Sequence, residues 1–134
     1  MKTIKATIGR AGDGFFSVYC EKYPFWGGGD SAEAAKADML KQMEIHKNEC
    51  IESGEKYPAV LDGEYEIIYT YDVCAMLDYY SGILSLSGLE KITGINQKQL
   101  WKYLHGKATP RRAQIEKISN GLQSFAAELQ SVVL

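Results

Sequence analysis

Apolar and polar residues alternate at the start of the chain. Ile4, Ala6 and Ile8 fall on one side and Lys5 and Thr7 on the other, which predicts a half-buried strand over Lys2 to Ile8. Gly9-Arg10-Ala11-Gly12-Asp13-Gly14 reads as a turn. Phe15 to Cys20 then reads as the second strand of a hairpin. Tyr23-Pro24-Phe25-Trp26 predicts a short third strand, kept at or near an edge because Pro24 cannot donate to a ladder. Gly27-Gly28-Gly29-Asp30 follows and reads as a tight strand-to-helix turn. Glycines ahead of a helix can also cradle phosphate, but neither a Lys-Ser/Thr pair nor G-x-G-x-x-G accompanies them.

The period then changes to that of a helix. Asp30 or Ser31 is the cap. Ala34, Ala35, Met39, Leu40 and Met43, with His46 or Cys50, fall on one side, and Lys36, Asp38, Lys41, Glu44 and Lys47 face water. Glu52 to Asp62 is a loop, and Gly63 to Tyr71 a strand with Tyr65, Ile67 and Tyr69 on one face and Ile68 and Thr70 on the other. The order β-β-β-α-β predicts a small sheet covered by one helix. Asp72 then caps a helix carrying Val73, Met76, Leu77, Tyr80 and Leu84. The fold class expected is α+β, with a β-β-β-α-β domain over residues 1–71 and an all-α domain over residues 72–134.

Within the second domain, Ser87 to Pro110 has the punctuation of a helix-turn-helix. Ser87 with Glu90 forms a capping box. Gly94 ends the first helix, Asn96 caps the second, Gly106 ends it and Pro110 forbids its continuation. Leu89, Ile92, Ile95, Leu100 and Tyr103 or Leu104 supply the apolar seam. A long helix is expected from about Arg111 to the end. Its Ile115, Ile118, Leu122, Phe125, Leu129 and Val132 make a heptad-like seam that packs in part on the helix-turn-helix and in part closes a twofold dimer. Gly121 interrupts that helix with a poor helix former.

Charge sharpens this picture. The chain of 134 residues carries a net −2, but Ser87 to Asn120 holds Lys91, Lys98, Lys102, Lys107, Arg111, Arg112 and Lys117 against Glu90 and Glu116, a net +5 that leaves −7 elsewhere. A basic end on an acidic body suits a polyanion partner. The helix that would enter a DNA major groove begins at Gln97. Asn96, Gln97, Lys98, Trp101 and Lys102 are the candidate base and groove residues, and Lys107, Arg111 and Arg112 the candidate phosphate contacts. Trp101 is open between groove and core. The bland alternative is a solvated lysine face on an ordinary helical corner.

Other chemistries find little support. No apolar run approaches a membrane span. The Met-Lys-Thr-Ile-Lys start has no apolar leader core. Cys20, Cys50 and Cys74 are odd in number and lack CxxC spacing, which predicts free thiols in a reducing cytoplasm and no zinc site. His46 with Cys50 is half a zinc site at most. The first two strands carry no carboxylates, and Glu64 and Glu66 flank Tyr65 on a solvated face. No catalytic residues, metal or cofactor are expected.

Two stretches together resemble the HicB-type antitoxins of bacterial toxin–antitoxin pairs. Trp26-Gly27-Gly28-Gly29-Asp30-Ser31-Ala32-Glu33-Ala34 is similar to that family's glycine-then-S-x-E-E-A lead into its single helix, and Leu89 to Gly106 is similar to the Cro/repressor-type helix-turn-helix. The resemblance implies a partial RNase H-like domain that neutralises a small basic, mRNA-cleaving HicA toxin. It also implies a helix-turn-helix domain that represses the operon at a palindromic operator as a homodimer or higher even oligomer. Glu90 departs from the family's Ala where the two helices cross, and Asn96 replaces its Ser. The competing readings are a protein-interaction module without DNA binding and a stand-alone regulator with no toxin.

Overall fold

A computed structural model of the chain describes residues 1–11 and 13–134; Gly12, part of the expected first turn, lies outside the described residues. The elements are β1 (Lys2–Arg10), β2 (Phe16–Tyr19), β3 (Trp26–Gly29), α1 (Ala32–Ser53), a 3-10 turn (Ala59–Leu61), β4 (Tyr65–Tyr71), α2 (Val73–Tyr79), α3 (Leu86–Thr93), α4 (Gln97–Leu104) and α5 (Arg112–Gln130). The protein is therefore α+β. Its four strands form one mixed sheet in the order β3-β2-β1-β4, with β1 antiparallel to β2 and parallel to β4.

The alternation in β1 does what it predicts. Ile4, Ala6 and Ile8 are buried and meet Val18, Ala35, Met39 and Met43 beneath α1, while Lys5 stays exposed. The third strand differs from expectation. It is the glycines themselves, Trp26–Gly29, and Pro24 lies before it. A Cβ on Gly27 would sit 2.3 Å from the Met39 amide nitrogen and 2.6 Å from the Ala35 carbonyl oxygen. The helix backbone rests directly on the strand, and glycine is what that approach requires. Ser31 caps α1 by accepting from the Ala34 N–H at 3.0 Å, so the helix begins at once, without the expected glycine turn. Ala34 and Leu40, expected inside, face outward, and Ala32 and Cys50 are buried with the methionines.

Asp72 caps α2 by accepting from the Ala75 N–H at 2.8 Å. The helix stops at Tyr79, short of the expected Leu84. It serves both halves: Ala75 joins the core under the sheet, and Leu77 joins a second core with Leu89, Ile95, Leu100, Tyr103 and Ile118. Arg10, at the end of β1, also reaches the helical half. Its Nη1 donates to the Leu104 carbonyl at 3.1 Å, and its Nε lies 3.4 Å from Asp78 Oδ1 as an ion pair without a directed hydrogen bond.

The long helix α5 is unbroken at Gly121. A Cβ there would meet the Ile92 carbonyl oxygen at 2.5 Å, so the glycine lets α3 and α5 touch backbone to backbone. The expected heptad seam is only partly used. Ile118 is buried and Leu122 and Phe125 are half-buried, but Ile115 and Leu129 are exposed and Val132 lies beyond the helix.

Candidate nucleic-acid interface

The helix pair α3–α4 is built by caps, and one of them is not the expected one. Ser85, not Ser87, caps α3, its Oγ accepting from the Gly88 N–H at 3.0 Å. Glu90 therefore takes no part in a capping box with Ser87. Its Oε1 instead accepts from the Gln97 N–H at 2.8 Å, across the turn, at the start of α4. Asn96 accepts from the Lys98 N–H at 2.8 Å, so side chains take up two of the free donors of that helix end. Gly94, at φ 76°, makes the left-handed turn between the helices. Thr93 Oγ1 accepts from the Ile95 N–H at 3.1 Å and pins the turn from inside.

This frame fixes which side of α4 is inward. Leu100 and Tyr103 are buried, while Gln97, Lys98, Trp101 and Lys102 are exposed. Trp101 is 43% exposed, which settles it as a surface residue. Its ring stacks on His105, centroids 4.1 Å apart and planes 25° apart, and His105 Nδ1 lies 2.9 Å from the Trp101 carbonyl oxygen. His105 belongs to this face although nothing in the sequence reading assigned it there; the i,i+4 spacing from Trp101 was the available signal.

Asn96, Gln97, Lys98, Trp101 and Lys102 line one surface hollow of about 580 Å³ together with Leu86 and Glu90. Lys107, Arg111 and Arg112 do not line it. They are exposed and follow α4, around the turn into α5. Arg112 is also paired to Glu116 on the next turn at 3.3 Å, which offsets its charge. The hollow is thus lined by two lysines, one indole and one carboxylate, that of Glu90, which sits on the helix N-terminus. Elsewhere His46 Nε2 and Cys50 Sγ come within 3.7 Å, but among the described residues no group of three or more His, Cys, Asp or Glu converges to hold a metal ion. No helix is long and apolar enough to cross a membrane.

No family model, curated protein or solved structure matches the chain. Gln offers a paired donor and acceptor to adenine, Lys a donor to guanine O6 and N7, and a half-exposed indole a flat apolar surface.

Proposed function

We propose that the protein is a sequence-specific DNA-binding repressor. The observation that carries this reading is the division of α4: Leu100 and Tyr103 hold it in the core, and Gln97, Lys98, Trp101 and Lys102 share the outer face of a helix whose head is capped and fixed. Such a face suits a major groove, with Gln97 and Lys98 at base edges near the helix N-terminus and Lys107 and Arg111 at phosphates. The exposed Ile115 and Leu129 of α5 offer an apolar seam for a twofold dimer on a palindromic operator. The acidic N-terminal domain takes the role that the likeness to HicB-type antitoxins suggests, binding and neutralising a small basic RNA-cleaving toxin in the cytoplasm.

Titrating the purified protein onto the DNA upstream of its own reading frame and onto a scrambled duplex, at two salt concentrations, tests the repressor reading. Selective binding that weakens with salt supports it; equal weak binding to both duplexes, or none, removes it. One observation favours a second reading, that of an interaction module without DNA binding. The Glu90 carboxylate occupies the α4 N-terminus, where a phosphate would otherwise gain from the helix dipole.

A further inference from the structure

The two edges of the sheet are unlike. On the β3 edge the Gly28 N–H is already taken by Asp38 Oδ2 at 2.9 Å, and Pro24 stands just ahead of the strand. Both are devices that keep another strand away. The β4 edge has neither. It runs Tyr65-Glu66-Ile67-Ile68-Tyr69-Thr70-Tyr71, with no proline or glycine.

Which of its backbone groups are free follows from the ladder. The Asp72 N–H donates to the Ile8 carbonyl of β1, so Asp72 and every second residue before it turn their backbone groups inward. Tyr65, Ile67, Tyr69 and Tyr71 therefore turn theirs outward. Among the described residues, no hydrogen bond outside the sheet takes up those groups.

We propose that this edge pairs with the β4 edge of a second copy, antiparallel about a twofold axis at Ile68, so that one sheet runs through both copies. In that register Tyr65 faces Tyr71 and Ile67 faces Tyr69 of the partner copy, outward residue to outward residue along the whole strand. Ile68, 46% exposed on the side away from α1, meets Ile68 of the second copy on the axis. Glu66 faces Thr70, so the two Glu66 carboxylates do not oppose each other. Sliding the register either way leaves an outward residue unpaired and sets Ile68 against Glu66 or Thr70. This self-complementarity is what singles out a second copy over an unrelated strand. A dimer through α5 would use other residues, Ile115 and Leu129, and the two contacts together would build a higher even oligomer.

Cysteine cross-linking tests the register. Ile68 forms a non-hydrogen-bonded pair with its mate, Cα atoms about 4.5 Å apart, within the reach of a disulfide, about 4.4–6.8 Å. The two Glu66 sites lie roughly 13 Å apart along the strands. Ile68→Cys is expected to form a covalent dimer under mild oxidation, while Glu66→Cys and the parent chain, whose Cys20 and Cys50 are buried and Cys74 half-buried, do not. Ile68→Lys, at an exposed site, is expected to halve the solution mass at the same concentration. An uncross-linked Ile68→Cys, a Glu66→Cys that cross-links as fully, or an unchanged mass for Ile68→Lys overturns the proposal. No DNA is present in these experiments, so their failure leaves the DNA-binding reading untouched.

Discussion

Glu90 is where stability and DNA binding should pull in opposite directions. Its carboxylate accepts the Gln97 N–H at 2.8 Å and lies in the hollow beside Asn96, Lys98 and Lys102. Glu90→Ala removes a cap and a favourable charge at a helix N-terminus, which together are worth about 1 kcal/mol at a half-exposed site. Glu90→Gln keeps an acceptor oxygen and loses only the charge, so it should cost less than ~0.5 kcal/mol. On DNA both changes remove a repulsion. A carboxylate a few ångströms from a phosphate in water opposes binding by about 1 kcal/mol, a factor of roughly five. Urea denaturation followed by Trp fluorescence gives the stability change, and a low-salt duplex titration gives the affinity change. The expected pair is a weaker fold for Glu90→Ala with about fivefold tighter DNA binding for both variants, the gain shrinking as salt rises. Unchanged or weaker binding in a folded Glu90→Gln refutes the placement of the α4 N-terminus in a DNA groove, within a few ångströms of the flanking phosphates.

Three more outcomes follow from the same geometry. Lys107→Ala should weaken binding on any sequence and lower the salt slope by about 0.9; an unchanged slope in duplex titrations returns Lys107 to a solvated face. Gly121→Ala, which in an open helix gains about 1 kcal/mol, should instead destabilise by roughly 1–3 kcal/mol in urea denaturation, because its Cβ would meet the Ile92 carbonyl oxygen at 2.5 Å. The Tyr57 hydroxyl, donating to Asp62 Oδ1 at 2.6 Å, holds the Asp62 carboxyl below its ordinary range with help from the Lys47 charge, and the same bond raises the Tyr57 phenol. A depressed carboxyl stabilises above its unfolded pKa and loses that contribution as pH falls through the folded one; a raised phenol loses its contribution as pH rises above about 10. The melting-temperature difference between the parent and Tyr57→Phe should therefore be flat at mid-pH and shrink at both extremes.

The parts of the fold legible in the sequence were those set by local rules. The alternation of β1 and the Met39–Met43 side of α1 follow from a sheet with one covered face. Gly94, Asn96 and Gly106 mark their turns by chemistry that acts within a few residues. The misreadings share a cause, which is contact between elements. Gly27 to Gly29 read as a turn because glycine signals both a turn and a close approach, and only α1 lying on β3 decides between them. Ser85 and Ser87 are equally good caps by residue type; the spacing of Glu90 favours Ser87, but its carboxylate reaches instead to Gln97 on the next helix. The α5 periodicity was real, but α3 covers only its middle, so Ile115 and Leu129 remain on the surface. In the candidate site, the outward direction of Gln97, Lys98 and Lys102 followed from the Leu100 seam. Trp101 and its His105 partner needed the structure, since an aromatic residue at that spacing serves core or surface equally well.

The most direct test of the central claim is the selectivity of a Gln97→Ala/Lys98→Ala variant, read as the ratio of affinities for the protein's own upstream DNA and a scrambled duplex at one salt concentration. Neither side chain is buried, so the fold should stand. If the outer face of α4 reads bases, the ratio collapses toward one, because each lost base contact removes about 1–3 kcal/mol of discrimination. A ratio equal to that of the parent contradicts the account.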